Sequence, residues 1–124
     1  MSAETTSSQK KIMVIDDEPH ICDLIQTELE DDGYAVVTVT DSQKALEMIR
    51  QEKPDLISLD IRMPGMDGLE VLSKIREIDM QIPIVVLTAY SSYRQDFSVW
   101  GADAYIVKSM DLSEYKRKIA EILH

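Results

Sequence analysis

At 124 residues, with 44% apolar and 29% charged side chains, the chain has the length and composition of one globular domain with its own core. A formal net charge of −10 argues against non-specific binding to nucleic acid, which needs a basic surface, and favours divalent cations or basic partners. The lone Cys22 excludes an internal disulfide and suits a reducing, cytoplasmic setting, and apolar runs such as Ile84–Leu87 are far too short to span a bilayer.

Residues 1–9 are polar, rich in Ser and Thr and aperiodic; they predict a disordered leader without signal-peptide character, ahead of a domain over 10–124. Lys11–Asp16 is a continuous apolar run ending in acid, as a buried parallel strand reads. Pro19–Asp31 carries Ile21, Leu24, Ile25 and Leu29 at helical spacing, with proline suited to the first turn and Gly33 to the stop. Tyr34–Val39 is β-branched and predicts the second strand. Asp41 or Ser42 can cap a second helix bearing Ala45, Leu46 and Ile49, which Pro54 punctuates. Leu56–Asp60 is the third strand, and Met63–Gly68 is dense in turn residues. A third helix places Leu69, Leu72, Ile75 and Ile78 inward, and Ile82–Thr88 is the fourth strand. Ser91 or Ser92 opens a fourth helix to Trp100, stopped by Gly101; Ala104–Val107 is the fifth strand; Leu112, Tyr115, Ile119 and Ile122 mark the last helix.

Strict alternation of strand and helix implies an α/β fold with a parallel sheet covered on both faces. Right-handed crossovers leave a doubly wound, flavodoxin-like five-stranded sheet in order 2-1-3-4-5 as the leading topology. Ligands of such sheets bind beyond the carboxyl ends of the strands, where the order reverses. Asp16 and Asp17, Asp60, Thr88 and Lys108 stand at or just beyond the ends of strands one, three, four and five.

Two carboxylates about 4 Å apart repel by roughly 4 kcal/mol at an effective dielectric near 20. Three gathered together either raise a pKa or hold a cation, and oxygen ligands without His or Cys suit hard Mg²⁺. Beside such an ion a carboxylate, Asp60, is a competent nucleophile towards phosphorus. Lys108 supplies positive charge for the same group and Thr88 a hydroxyl donor. Plainer roles exist for each: helix capping by Asp16, Asp17 and Glu18, a strand-end turn at Asp60, a salt bridge at Lys108 and a cap at Thr88.

Four motifs then resemble the receiver domain of two-component response regulators over about residues 10–123: Val14–Glu18, Leu59–Gly68, Ile84–Ala89 and Gly101–Lys108, in the family's order and spacing. The resemblance implies a signalling switch, not an enzyme in the ordinary sense, that accepts a phosphoryl group on Asp60 from a sensor histidine kinase or phosphotransfer protein. It implies Mg²⁺ held by Asp17, Asp60 and the backbone carbonyl of Arg62, with Asp16 acting through water. Lys108, the Thr88 hydroxyl and the Ala89 amide would contact the phosphoryl oxygens, and Tyr105 would be a switch aromatic, with a half-buried strand aromatic as its plainer role. The output face would be the fourth helix, fifth strand and fifth helix, region of Tyr90, Tyr93, Phe97 and Trp100, where an effector protein docks; no direct nucleic-acid or membrane contact is implied. No second domain follows His124 in this sequence, which predicts a single-domain or isolated receiver.

Ser109 follows Lys108 where the family usually has proline, so a cis bond at that place is disfavoured by several kcal/mol. Arg62 and Tyr90 fall at positions that flank the phosphoryl group in the family, and we expect them to shield it from water. Decay of phospho-Asp60 should then quicken in Arg62→Ala; equal lifetimes would sink the shielding idea. An aspartyl-nucleophile phosphatase wants a second acid where Arg62 stands, and a flavodoxin-like cofactor site wants a Ser/Thr/Gly loop where Asp16-Asp17-Glu18-Pro19 stands. An interaction module that keeps the fold without the chemistry is the remaining alternative.

Overall fold

Strand β1 (Lys11–Ile15) is buried along almost its whole length, as expected of a central parallel strand whose two faces are both covered. The computed structural model describes residues 9–63, 66–89 and 101–124, and of 62, 63 and 66–68 the backbone alone. Helix α1 (Pro19–Asp31) starts with proline at its first turn, where a missing N–H costs nothing. It ends before Gly33, whose φ of 97° turns the chain into β2 (Ala35–Val39). Helix α2 (Ser42–Glu52) is capped by Asp41, whose carboxylate accepts the Gln43 amide at 2.9 Å. Its other end closes on Lys53, at a left-handed φ of 49°, directly before Pro54.

Strand β3 (Leu56–Leu59) is followed by a short antiparallel pair, β4 (Arg62–Met63) and β5 (Met66–Asp67). Helix α3 (Gly68–Ile78), strands β6 (Ile84–Thr88) and β7 (Ala104–Val107), and helix α4 (Ser113–Leu123) complete the described elements. The main sheet is parallel, in order β2-β1-β3-β6-β7, which is the expected 2-1-3-4-5 once the small pair is set aside. Most of the expected leader, the turn at Pro64 and Gly65, and the expected fourth helix with Tyr90, Tyr93, Phe97 and Trp100 lie outside the described residues.

Side chains alternate across this sheet and build two cores. Met13, Ile15, Ile57, Leu59, Ile84, Val86 and Tyr105 face one way, against residues of α2 and α3. Ile12, Val14, Leu56, Val85, Leu87 and Ile106 face the other way, against α1 and α4. In α1 the periodicity misassigns one position: Leu24 is 48% exposed, and the buried stripe is Cys22, Ile25 and Leu29. In α3, Val71 joins Leu72 and Ile75 in full burial. Between β3 and α4 the Tyr115 hydroxyl donates to Ser58 Oγ at 2.8 Å, which satisfies two buried polar groups together.

One polar clamp ties α3 to the start of β7. Arg76 donates from Nε to the Gly101 carbonyl at 2.9 Å and from Nη1 to the Ile82 carbonyl at 2.7 Å, and Nη2 lies 3.2 Å from Asp103. Asp103 in turn accepts the Ile84 amide at 2.9 Å. Gly101, at φ 96°, packs so closely that an added Cβ would stand 3.3 Å from the Arg76 Nε. Removing a mostly buried guanidinium leaves these carbonyls without a partner. Arg76→Met should therefore lower unfolding stability by about 2 kcal/mol, read as a lower urea midpoint at unchanged slope.

Candidate functional site

Register delivers the acidic residues to one edge. Ile15 pairs with Leu59, so the residues that follow, Asp16 and Asp60, leave neighbouring strands side by side. The Asp60 amide donates to the Ile15 carbonyl and the Asp16 amide to the Val39 carbonyl, each at 3.0 Å, which continues the ladder past the apolar runs. Asp16 and Asp60 are 2% and 4% exposed, and Thr88 is fully buried at the end of β6. One carboxylate oxygen each from Asp16, Asp17 and Asp60 lies within 4.8 Å of the others. Such a set, all hard oxygen donors and joined by no His or Cys among the described residues, fits a small divalent cation.

Lys108 crosses the end of β6 to reach these acids. Its amide donates to the Thr88 carbonyl at 2.7 Å, which seats it just beyond β7. From there Asp60 lies two strands away, roughly 10 Å at ordinary strand spacing, a gap that suits the long lysine stem. Nζ stands 2.9 Å from Asp16, 3.0 Å from Asp60 and 3.3 Å from Glu18. No peptide bond among the described residues is cis, that to Ser109 included.

Burial raises the Asp16 carboxyl above its ordinary value, against the pull of the Lys108 hydrogen bond and the Glu18 amide. Burial alone would lower the Lys108 ammonium, but the hydrogen bonds to Asp16 and Asp60 outweigh it and the net shift is upward. The two directions agree physically: one ammonium shared among several acids secures its own proton more firmly than any single acid's anion. Cys22, beneath, donates Sγ–H to the Asp16 carbonyl at 3.3 Å. Burial pushes its thiol up to about 11, helped by the charges of Asp16 and Asp23.

The expected residues thus divide. Asp16, Asp17, Asp60 and Lys108 are brought together, with Thr88 buried one strand over. Ala89 follows β6 and is exposed. Tyr105 is 4% exposed in the α2/α3 core, so its ring is already inward rather than half-buried. For Arg62 the backbone pairs with Asp67, while its side chain and Tyr90 lie outside the described residues. Glu18 is the addition: read from sequence only as a cap, it makes no side-chain capping bond and turns to Lys108 instead.

Known proteins resemble this chain over most of its length. A family model, the response regulator receiver domain, matches residues 12–120. The Bacillus subtilis alkaline phosphatase synthesis transcriptional regulatory protein PhoP is 40% identical over 119 residues, covering 92% of this chain and 48% of that protein. The chain therefore spans about half the length of that relative. The response regulator TrrA of Thermotoga maritima, solved in complex with Mg²⁺ and BeF, is 44% identical with a TM-score of 0.86, covering 92% of this chain and 99% of that one. TrrA solved in complex with the histidine kinase ThkA is similar at 44% identity and a TM-score of 0.85, covering 94% and 100%. Among the described residues no helix is long and apolar enough to cross a membrane.

Proposed function

The chain belongs to the response regulator receiver domain family, and from that premise we propose that it is a phosphorylation-dependent switch whose acceptor is Asp60. The observation that carries this reading is the buried Asp60 carboxylate, which shares the Lys108 ammonium with Asp16 and stands within one oxygen cluster with Asp16 and Asp17. A carboxylate oxygen of Asp60 attacks phosphorus and forms a new P–O bond. The donor's P–N bond in phosphohistidine, or P–O bond in acetyl phosphate, breaks, and imidazole or acetate leaves with the electron pair.

Asp17, Asp60 and the Arg62 carbonyl would hold Mg²⁺, with Asp16 acting through water, and the bound ion supplies positive charge to offset the anions that meet there. Lys108 offers its ammonium to the transferred group. The Thr88 hydroxyl and Ala89 amide donate to its remaining oxygens. A phosphoryl group adds about −1.5 to −2 charge. Drawing Thr88 and Lys108 towards it biases the segment after β6 towards a second arrangement, and Tyr105, buried here already, would be the switch aromatic held inward by it. A histidine kinase or phosphotransfer protein would supply the phosphoryl group. An effector protein, rather than nucleic acid or membrane, would read the face of the expected fourth helix, β7 and α4. Response regulators are signalling proteins, not classical enzymes; here any catalysis is confined to gain and slow loss of the domain's own phosphoryl group.

Incubation with Mg²⁺ and acetyl phosphate, followed by intact-mass measurement, tests the reading. One acid-stable, base-labile phosphoryl adduct is expected, and none in excess chelator. Continuous turnover of donor would favour the phosphatase alternative. Neither adduct nor turnover would leave an interaction module.

A further inference from the structure

Lys108 is held at both ends of its side chain. At the tip, Nζ lies among Asp16, Asp60 and Glu18. At the root, its amide donates to the Thr88 carbonyl at 2.7 Å. Beyond that bond the chain leaves the sheet: β7 ends at Val107, and α4 begins only at Ser113. Between them Ser109, Met110 and Asp111 are exposed, so packing does little to fix the path. The bond from Lys108 to Ser109 is trans, and serine has no ring to set φ. Hydrogen bonds take over that task. Ser109 Oγ accepts the Asp111 amide at 3.1 Å. The Asp111 carboxylate accepts the Ser113 amide at 2.9 Å and its hydroxyl at 2.6 Å. Each is a side chain closing on the backbone two residues on, a local turn that Ser and Asp readily form. End to end they make a stair from Lys108 to the first residue of α4. The far end of the stair is firm. Tyr115 is 1% exposed and its hydroxyl is bonded to Ser58, while Lys116 pairs with Glu28 of α1 and with Asp32 just past it. Ser58 precedes Asp60 by two positions on the same stretch of chain, so the stair closes a circuit: from β3 through Tyr115 to α4, down to Lys108, and back to Asp60 through Nζ.

We propose that Ser109 is a positioning residue that, with Asp111, fixes the backbone beyond Lys108 and so sets the place from which the ammonium reaches the acids. The inference rests on the reading of Asp60 as acceptor and deepens it by naming what aligns the lysine with the incoming group. A long stem can follow a shifted root, but a charge aimed at a transferring group is sensitive to small displacements. The effect is graded: the sheet decides which way the lysine points, and the stair decides how well it is aligned.

Two substitutions separate the hydrogen bond from the volume around it. Ser109→Ala removes Oγ, and Ser109→Thr keeps it. In metal-free protein Ser109→Ala should move the Lys108 ammonium NMR signal and quicken exchange of the Asp111 amide proton, whereas Ser109→Thr should match wild type. In saturating Mg²⁺, Ser109→Ala should bind beryllofluoride, a mimic of the phosphoryl group, roughly two- to fivefold more weakly, the factor that one ordinary hydrogen bond carries. Its maximal rate of labelling by acetyl phosphate should fall by a similar factor. The urea midpoint should stay at the wild-type value, because the bond lost is exposed, so a general loss of structure would not produce this pattern. An unmoved ammonium signal in Ser109→Ala overturns the proposal. So do unchanged binding and labelling against a wild type that does both, and so does a Ser109→Thr that fails as Ser109→Ala does. A wild type that neither binds beryllofluoride nor labels overturns the acceptor reading instead, and the metal-free NMR comparison still decides whether Ser109 seats Lys108.

Discussion

Asp60→Asn is expected to gain no phosphoryl adduct from acetyl phosphate and Mg²⁺ under conditions that label the wild type. Asparagine keeps the shape of the side chain and a carbonyl oxygen for Lys108 to donate to, but it carries no anionic oxygen to attack phosphorus. The loss should be complete rather than graded, because the substitution removes the attacking atom's charge and leaves its surroundings alone. Stability should change little. The attraction between Asp60 and Lys108 is lost, but so is repulsion from Asp16, and at these separations each is of the order of 4 kcal/mol at an effective dielectric near 20. Urea unfolding should therefore report a difference of no more than about 1 kcal/mol. Labelling that persists in a folded Asp60→Asn would move the acceptor to Asp16 or Asp17 and sink the assignment.

Lys108→Met should be the most destabilising single change at the site, about 3 kcal/mol in metal-free protein at pH 8. Methionine fills much of the lysine volume, so the loss is electrostatic: Asp16 and Asp60, both nearly inaccessible to water, lose the Lys108 ammonium. The pH dependence follows from burial, which already holds the Asp16 carboxyl above its ordinary value. Without Lys108 it stands higher still, and the native state then binds a proton that the unfolded chain does not. Stability of the variant therefore falls as pH rises through that range and recovers as pH falls. The deficit against wild type should narrow from pH 8 to pH 5, and should also narrow at pH 8 on adding Mg²⁺, which replaces the missing positive charge. A deficit indifferent to both would make Lys108 a packing residue.

Much of this was legible in the sequence because the signals were local and redundant. Pro19 and Gly33 bracket α1, and its observed span, Pro19–Asp31, is the one expected. Apolar runs of β-branched residues marked the sheet, and handed crossovers left the observed order as the leading topology. The four acid and base residues at strand ends were found because an all-parallel sheet sends its strand ends to one side. What escaped was either too short or too distant. The β4/β5 pair has two residues on each strand, below any periodicity. Leu24 fits an apolar stripe by spacing, yet the buried stripe is Cys22, Ile25 and Leu29, and Leu24 lies on the face opposite Cys22. Arg76 reads as an ordinary solvated residue near a helix C-terminus, since its partners are carbonyls 25 and 6 positions onward. Glu18 reads as a cap because nothing near it in sequence discloses Lys108, 90 positions away.

The Arg76 clamp has a consequence for which length changes the chain can absorb. It fastens Gly101 and Asp103 at one end of β7, and Asp103 is locked to Ile84 on the adjoining strand. With that end pinned, the side on which Lys108 emerges depends on the parity of the residues between. One residue inserted within Ala104–Val107 would invert every side chain beyond it and turn the lysine from the acids. The same insertion in the turn after Ser109 would meet no such constraint. Drift in length is therefore tolerated on the far side of Lys108 and forbidden on the near side.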